Sequence, residues 1–337
     1  GHWESLSQIL PLLRNSESSI TPRDIFESEE SWEILVSAYK RYGEKISFLD
    51  FFWTWRSIYL PVINTLTVPI PRARLYHTVS TGYAGLVASL AKITQDKRML
   101  LTEHGIYTHE RFLEISQATW IQTPPQARFR IHRELPFFKR FWLGLFKTLG
   151  GISYWHADQI ITLYEGNRTR EILDGAKPEK ISIIPNGISL QPYQFTPQAH
   201  AHPIVAFIGR VVAIKDVKTF MEAAKIVSRQ LPQVKFYILG PSDEEAEYTE
   251  ECKLLLHTLN MEDRIHFKGK VDLKDYYPLI DLVVLTSLSE AQPYVILEAN
   301  ACGIPVVATN VGACSEMLSG RLPEDRKLGP SGIITDV

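Results

Sequence analysis

Residues 203–217 read PIVAFIGRVVAIKDV. The run Pro203–Ile208 is short, apolar and β-branched, the pattern of a strand buried on both faces. It stops at Gly209, and from Val217 to Arg229 the apolar residues return at helical spacing. This strand–loop–helix unit recurs downstream. Strands are expected at Val234–Leu239, Ile265–Phe267, Leu282–Thr286 and Pro305–Ala308, with helices at Glu245–Leu259, Leu273–Leu279 and Val295–Ala301. Strands alternating with helices predict a parallel sheet wound on both faces, because each crossover lays a helix across the sheet.

The same grammar appears upstream, after about 75 residues that read as helical. Arg74–His77, Arg98–Thr102, Asp158–Tyr164 and Lys180–Ile184 are expected strands, and a helix follows Ser80-Thr81-Gly82-Tyr83-Ala84-Gly85. Ser31–Tyr42 is expected to be a helix capped by Ser31. The aromatic stretch Leu49–Leu60 could stack bases, but a helix packing its rings inward is the plainer reading. Residues 186–202 (NGISLQPYQFTPQAHAH) are polar, rich in Pro and Gln and weakly periodic, as a linker is. The chain therefore divides as 1–188, a linker at 189–202, and 203–337. The expected fold class is α/β, with two Rossmann-like doubly wound domains facing each other across a cleft.

Composition excludes several function classes. The 337 residues carry 36 Lys+Arg against 38 Asp+Glu, a net charge of −2, without the basic surplus that a nucleic-acid binder needs. An apolar fraction of 45% and a charged fraction of 22% are globular values. Cys252, Cys302 and Cys314 are three in number with no CxxC spacing, which argues against a disulfide framework or a zinc site and fits a reducing cytosol. No stretch reaches the roughly 18 apolar residues of a membrane span. The opening GHWESLSQIL lacks the basic and apolar regions of a signal peptide.

Two strings carry chemistry. In Ser289-Glu290-Ala291-Gln292-Pro293-Tyr294-Val295-Ile296-Leu297-Glu298-Ala299, two carboxylates stand seven residues apart around the start of a helix. Pro293 suits that first turn, since its missing N–H would have no partner there, and the N–H groups of Tyr294 and Val295 form an anion site. In Gly209-Arg210-Val211-Val212-Ala213-Ile214-Lys215-Asp216, Gly209 permits close backbone approach and Arg210 and Lys215 bring two cations to one strand end. Two cations suit a diphosphate: at an effective dielectric near 20, a pair about 4 Å apart is worth roughly 4 kcal/mol before desolvation. His104, in Thr102-Glu103-His104-Gly105, ends a strand, and either Glu103 or His104 points into the sheet. His77 also ends a strand, and Gly82 and Gly85 suit a tight turn. Arg128–Lys147 (RFRIHRELPFFKRFWLGLFK) is basic and aromatic. It reads as a helix with one buried and one solvated face, or as a membrane-surface element.

These strings, in this order, resemble the retaining GT-B glycosyltransferases of family 4, with G-R-x-x-x-x-K and E-x7-E. The resemblance is closer to the PelF-type subgroup of pel exopolysaccharide synthesis. It runs through Phe51-Phe52-Trp53-Thr54-Trp55-Arg56, Thr81-Gly82-Tyr83-Ala84-Gly85-Leu86, Leu101-Thr102-Glu103-His104-Gly105-Ile106-Tyr107, Leu163-Tyr164-Glu165-Gly166-Asn167-Arg168, Ile184-Pro185-Asn186-Gly187 and Val311-Gly312-Ala313-Cys314. The resemblance implies that Glu298 accepts from the nucleotide ribose and that Glu290 binds the donor sugar. Arg210 and Lys215 would neutralise the leaving diphosphate, and His104 would lie against the sugar. Gly240-Pro241 and Phe267-Lys268-Gly269 would wall the base pocket. Gly209, Gln292, Pro293, Tyr294 and Val295 would complete the donor site.

The implied reaction transfers a hexose, glucose by subgroup resemblance, from a UDP-sugar to a polysaccharide or primer. There is no D-x-D motif for a metal, so the expectation is a metal-free cytoplasmic enzyme without a cofactor. It would take UDP-glucose or another UDP-sugar and a glycan acceptor, and could work at the inner membrane face with a polysaccharide synthase complex. The rivals are a non-catalytic UDP-sugar-binding subunit and a GT-B epimerase. The sequence departs from the family before Ser31, where no glycine-rich strand–loop appears, and at Thr335-Asp336-Val337, where the closing helices are missing. A first sheet short of at least one strand is therefore expected.

Overall fold

The computed structural model describes residues 21–43, 46–118, 135–194 and 201–337, with Gln8, Leu10 and Ile121. Residues 122–134, which include the start of the basic aromatic stretch, and residues 195–200 of the expected linker lie outside the described residues. The chain forms two compact units. One takes Gly1–Thr162 and Asn167–Ile184, and the other takes Leu163–Gly166 and Pro185–Val337. The boundary falls at Ile184, where the sequence reading placed it at 188. Pro185 onwards belongs to the second unit, and a 3-10 turn at Gln191–Tyr193 packs Tyr193 against Tyr277.

Among the described residues the first unit holds four parallel strands in sequential order: β1 (Leu75–Thr78), β2 (Arg98–Glu103), β3 (Gln159–Thr162) and β4 (Ile181–Ile183). Successive residues of a strand point to opposite faces. Met99, Leu101 and Ile160 therefore join Ala88, Tyr154 and Ala157 in one buried cluster, while Leu100, Thr102 and Ile161 lie half-buried on the other face. Helices Gly82–Gln95, Tyr107–Gln117 and Phe137–His156 pack on one another. Helix Phe48–Thr67 turns Phe51, Trp55 and Ile58 inward, and Phe51 and Trp55 join Leu86 and Phe146 in a second cluster, so its rings are a packing face. Helix Glu29–Tyr42 is capped by Ser28, whose hydroxyl accepts from Ser31 N at 3.1 Å; Ser31, the expected cap, is itself helical and buried. The described part of the basic aromatic stretch likewise buries Phe138 and Phe146 and extends the nearly buried Lys139 to Ser116 O at 2.8 Å.

The second unit is a six-stranded parallel sheet. Its strands are β5 (Ile204–Ile208), β6 (Lys235–Leu239), β7 (Ile265–Gly269), β8 (Leu282–Leu285), β9 (Val306–Thr309) and β10 (Gly332–Thr335). They lie in the order β10-β9-β8-β5-β6-β7. Both faces are covered. Ile204, Ala206 and Ile208 pack with Ile296, Ala299 and Leu318 of helices Tyr294–Ala301 and Cys314–Ser319. Phe207 turns the other way onto Phe220, Met221 and Cys252 of helices Val217–Gln230 and Ala246–Leu259. Each such buried side chain contributes roughly 1.5–3 kcal/mol, which is why the apolar run in β5 reads so plainly. The expected helix at Leu273–Leu279 is instead two 3-10 turns, Leu273–Asp275 and Tyr277–Leu279. Pro278 has no N–H to donate to a helix, and it stands at the first turn of the second.

The order of the second sheet reverses between β5 and β8. One neighbour chain of crossovers runs to β7 and the other to β10. The crevice for a ligand in such a sheet opens there, outside the carboxyl ends of the two central strands.

Candidate active site

Two loops leave the sheet at that point, residues 209–216 after β5 and 286–293 after β8. They are tied together: Leu288 N donates to Ile214 O at 2.9 Å, and Thr286 Oγ1 donates to Asp216 O at 2.7 Å. Asp216 adopts a left-handed conformation (φ 46°) and caps helix Val217–Gln230, accepting from the Thr219 hydroxyl at 2.6 Å. The cap fixes the preceding Lys215. Its ammonium forms an ion pair with Glu290 Oε1, which also accepts from Ser287 Oγ at 2.6 Å. Lys215 and Glu290, distant in sequence, thus form one nearly buried unit. A third loop supports it. Gly312 has φ 54°, and a Cβ there would lie 2.2 Å from Glu290 O, so only glycine lets this backbone approach. Ala313 N donates to Ala291 O at 2.8 Å.

Helix Tyr294–Ala301 begins one residue earlier than the expected Val295, with Pro293 as its N-cap. Tyr294 and Val295 are its first two residues, whose N–H groups have no carbonyl within the helix to bond. Gln292 is buried, and its Oε1 accepts from Asn186 N at 2.6 Å. This side chain clamps the start of the second unit's main segment to the site loop. Glu298, one turn into the helix, accepts from Tyr193 OH at 3.0 Å and from Tyr277 OH at 2.7 Å. Burial, reinforced by Glu298, pushes the Tyr193 phenol up to about 12 and Tyr277 higher still, so both remain donors. Cys314 behind the site is buried; that burial, with Glu290 nearby, pushes its thiol up to about 12 and keeps it neutral.

Arg210 is exposed and makes a two-pronged contact with Glu244 (2.7 Å to Oε2). The glycine on which loop approach depends is Gly240: at φ 149°, a Cβ would sit 1.9 Å from Gly209 O. A Cβ at Gly209 would meet only the Phe207 ring, at 3.4 Å, which is ordinary contact. Phe267 is half-buried and packs against the cluster that holds Ile238 and Phe236. The pairing of β6 with β7 slips by one residue between Ile238 and Leu239, so Lys268 is bulged and its ammonium lies 4.8 Å from the Tyr237 ring centroid. Gly269 O accepts from Gly240 N at 2.9 Å.

The remaining candidates lie in the first unit. Glu103 is the residue that points inward. It accepts from Tyr154 OH at 2.5 Å, and from Thr81 Oγ1 and Tyr107 N at 3.3 Å. His104 is exposed after β2, and its carbonyl accepts from Asn167 Nδ2 at 3.0 Å. His77 Nε2 lies 2.9 Å from Thr102 Oγ1, a cross-strand contact within the sheet. Tyr193, Tyr277, Ser287, Glu244 and Glu245 went unread in the sequence. Only the acidic run Asp243-Glu244-Glu245, at a strand end beside the basic loop, left a legible signal. Among the described residues no three His, Cys, Asp or Glu side chains gather as a metal site, and no helix is long and apolar enough to cross a membrane.

Residues 2–179, more than half of the chain, match the family model described as a domain of unknown function, DUF3492. Residues 202–328 match the model described as glycosyl transferases group 1. The chain belongs to the DUF3492 family, and its residues 202–328 are similar to the glycosyl transferases of group 1. This DUF3492 chain is 28% identical over 176 residues to a D-inositol 3-phosphate glycosyltransferase of Kineococcus radiotolerans, covering 46% of the chain and 40% of that relative. It spans about two fifths of the length of the curated relatives it matches. Among solved structures it is similar to Anabaena HepE in complex with UDP and glucose (TM-score 0.58, 20% identity, 84% of this chain and 67% of that one). It is also similar to a sucrose-phosphate synthase from Thermosynechococcus elongatus (TM-score 0.55, 22% identity, 86% and 64%). At these identities the likeness is one of fold, and that fold is GT-B, with parallel sheets in two Rossmann-like domains.

Proposed function

We propose that the second unit binds the nucleoside diphosphate of a UDP-sugar, and that the protein transfers a hexose, glucose in our reading, to a growing polysaccharide or its primer with retention. The observation that carries this reading is the junction of the two central-strand loops. It brings Arg210, the Lys215–Glu290 pair and the start of helix Tyr294–Ala301 to the switch point of the sheet. Supporting it are the group 1 glycosyltransferase match and the nucleotide that the Anabaena neighbour holds. The PelF-type subgroup, an exopolysaccharide role and work beside a membrane synthase belong to the same proposal and rest on resemblance.

The chemistry follows from charge. Breaking the bond between the sugar's C1 and the phosphate oxygen leaves negative charge on the diphosphate. Arg210, Lys215 and the N–H groups of Tyr294 and Val295 are donors on the loops that leave the two central strands, and on this reading they stabilise that charge more in the transition state than in the ground state. Glu290 holds the Lys215 ammonium in position. Glu298, held by Tyr193 and Tyr277, has lone pairs left to accept from ribose hydroxyls, since a carboxylate takes about four bonds.

The test is titration calorimetry with UDP, GDP, ADP and UDP-glucose, followed by a transfer assay on the intact protein. UDP and UDP-glucose should bind selectively. Arg210→Ala and Lys215→Ala should each lower transfer by about 10²–10³-fold. Transfer within threefold of the parent for both variants would overturn the reading. Conversion of UDP-glucose without an acceptor would replace it with an epimerase.

A further inference from the structure

The loop after β6 engages donors of the proposed diphosphate site. This loop is stitched to the loop after β5 along its length. Gly209 N donates to Leu239 O and Val211 N to Pro241 O, both at 2.9 Å. The Gly240 backbone fits against Gly209 with no room for a side chain. At the end of this seam stand two successive carboxylates. Glu244 takes Arg210 with both oxygens, and Glu245 Oε2 accepts from the backbone N–H of Ala213 at 2.9 Å. A guanidinium and a backbone N–H on a strand-end loop are the two kinds of donor a phosphate oxygen uses. With Glu290 on Lys215, each of the loop's two cations is paired with a carboxylate, and Glu245 takes a backbone N–H.

We propose that Glu244 is a built-in competitor at the donor site: it stands in for a phosphate on Arg210, so that a phosphate ligand must displace it to bind there. The inference rests on the donor-site reading above. Its physical basis is competition. An incoming phosphate must break this ion pair, and a second phosphate adds charge and acceptor oxygens that a monophosphate lacks. The seam matters because it holds the carboxylate at the cation; a loose loop would lose side-chain entropy in doing so. The pair is exposed, so its worth is that of a surface ion pair and the effect is correspondingly modest.

The experiment is calorimetric titration of UDP and UMP into the parent chain, Glu244→Gln, Glu244→Asp and Arg210→Ala, with Glu251→Gln as control. Glu251 pairs with Lys218 on another surface and should leave both affinities unchanged. Removing the charge should tighten UDP about threefold to fivefold, the scale of one surface ion pair. It should tighten UMP by no more than the same factor. Glu244→Asp, which keeps the charge, should stay near the parent. If the parent binds UDP, Arg210→Ala weakens it, and Glu244→Gln leaves UDP within 1.5-fold or weakens it, the role of Glu244 is overturned while the donor site stands. If neither the parent nor Glu244→Gln binds UDP, both readings fall.

Discussion

Glu298 is held by two phenols, each on a 3-10 turn. Tyr277 is buried, and its hydroxyl gives the shorter of the two bonds. A hydrogen bond to a charged acceptor contributes roughly 1.5–3 kcal/mol, and leaving a carboxylate short of donors costs part of that again. Tyr277→Phe keeps the ring in its cluster and removes only the hydroxyl. It should therefore destabilise the second unit by about 2 kcal/mol in urea unfolding and weaken UDP binding several-fold, whereas Tyr294→Phe should leave stability unchanged. Equal stability of Tyr277→Phe and the parent would mean that the bond to Glu298 contributes nothing.

At the scale of elements, the first unit carries a pH-sensitive joint between β2, β3 and the helices above them. Glu103 ends β2 and Glu171 lies on helix Glu165–Leu173; both are fully buried. The Thr162 hydroxyl stands beside the Glu171 carboxyl and opposes its shift, but the two do not meet in good hydrogen-bond geometry. Burial lifts Glu103 to about 7 and Glu171 to about 8, the latter helped by the charge of Glu103; Arg168 opposes the shift. An unfolded glutamate titrates near 4.3. The folded chain thus keeps protons that the unfolded chain gives up. The stability this provides is full below about pH 4 and is lost as pH rises through the folded values near 7 and 8. All seven tryptophans lie within Gly1–Thr162, so their emission follows this unit. Urea unfolding read by tryptophan emission should show the parent weakening between pH 5 and pH 9. Glu171→Gln should gain on the order of 2–3 kcal/mol relative to it at pH 9. Parallel pH curves for the two proteins would dispose of this account.

At the scale of the whole molecule, the proposed ligand touches only one of the two units through the residues named here. Binding to the native state alone stabilises by about 2.7 kcal/mol at a ligand concentration a hundred times Kd. Hydrogen exchange with saturating UDP should therefore slow at residues 209–216, 240–245 and 286–298 and in the central strands β5, β6 and β8. Protection elsewhere but not in these segments would place the nucleotide in another site.

The sequence by itself determined the strand–helix alternation, the second unit's doubly wound character and the places where chemistry gathers at strand ends. These are local properties: a strand buried on both faces must be continuously apolar, as Ile204–Ile208 is, and a loop that leaves it must carry its own charges. Tertiary structure alone decided which charges meet. Lys215 with Glu290, Arg210 with Glu244 and Glu298 with Tyr193 and Tyr277 are pairs between segments far apart in the chain, and no periodicity encodes them. It also decided which glycine is indispensable, Gly240 over Gly209, because that depends on the distance between two neighbouring strand ends. Helix boundaries followed the same division. Ser28 and Pro293 took cap positions beside the expected ones because a cap is set by where the backbone leaves helical geometry, which packing at the far side of the helix controls.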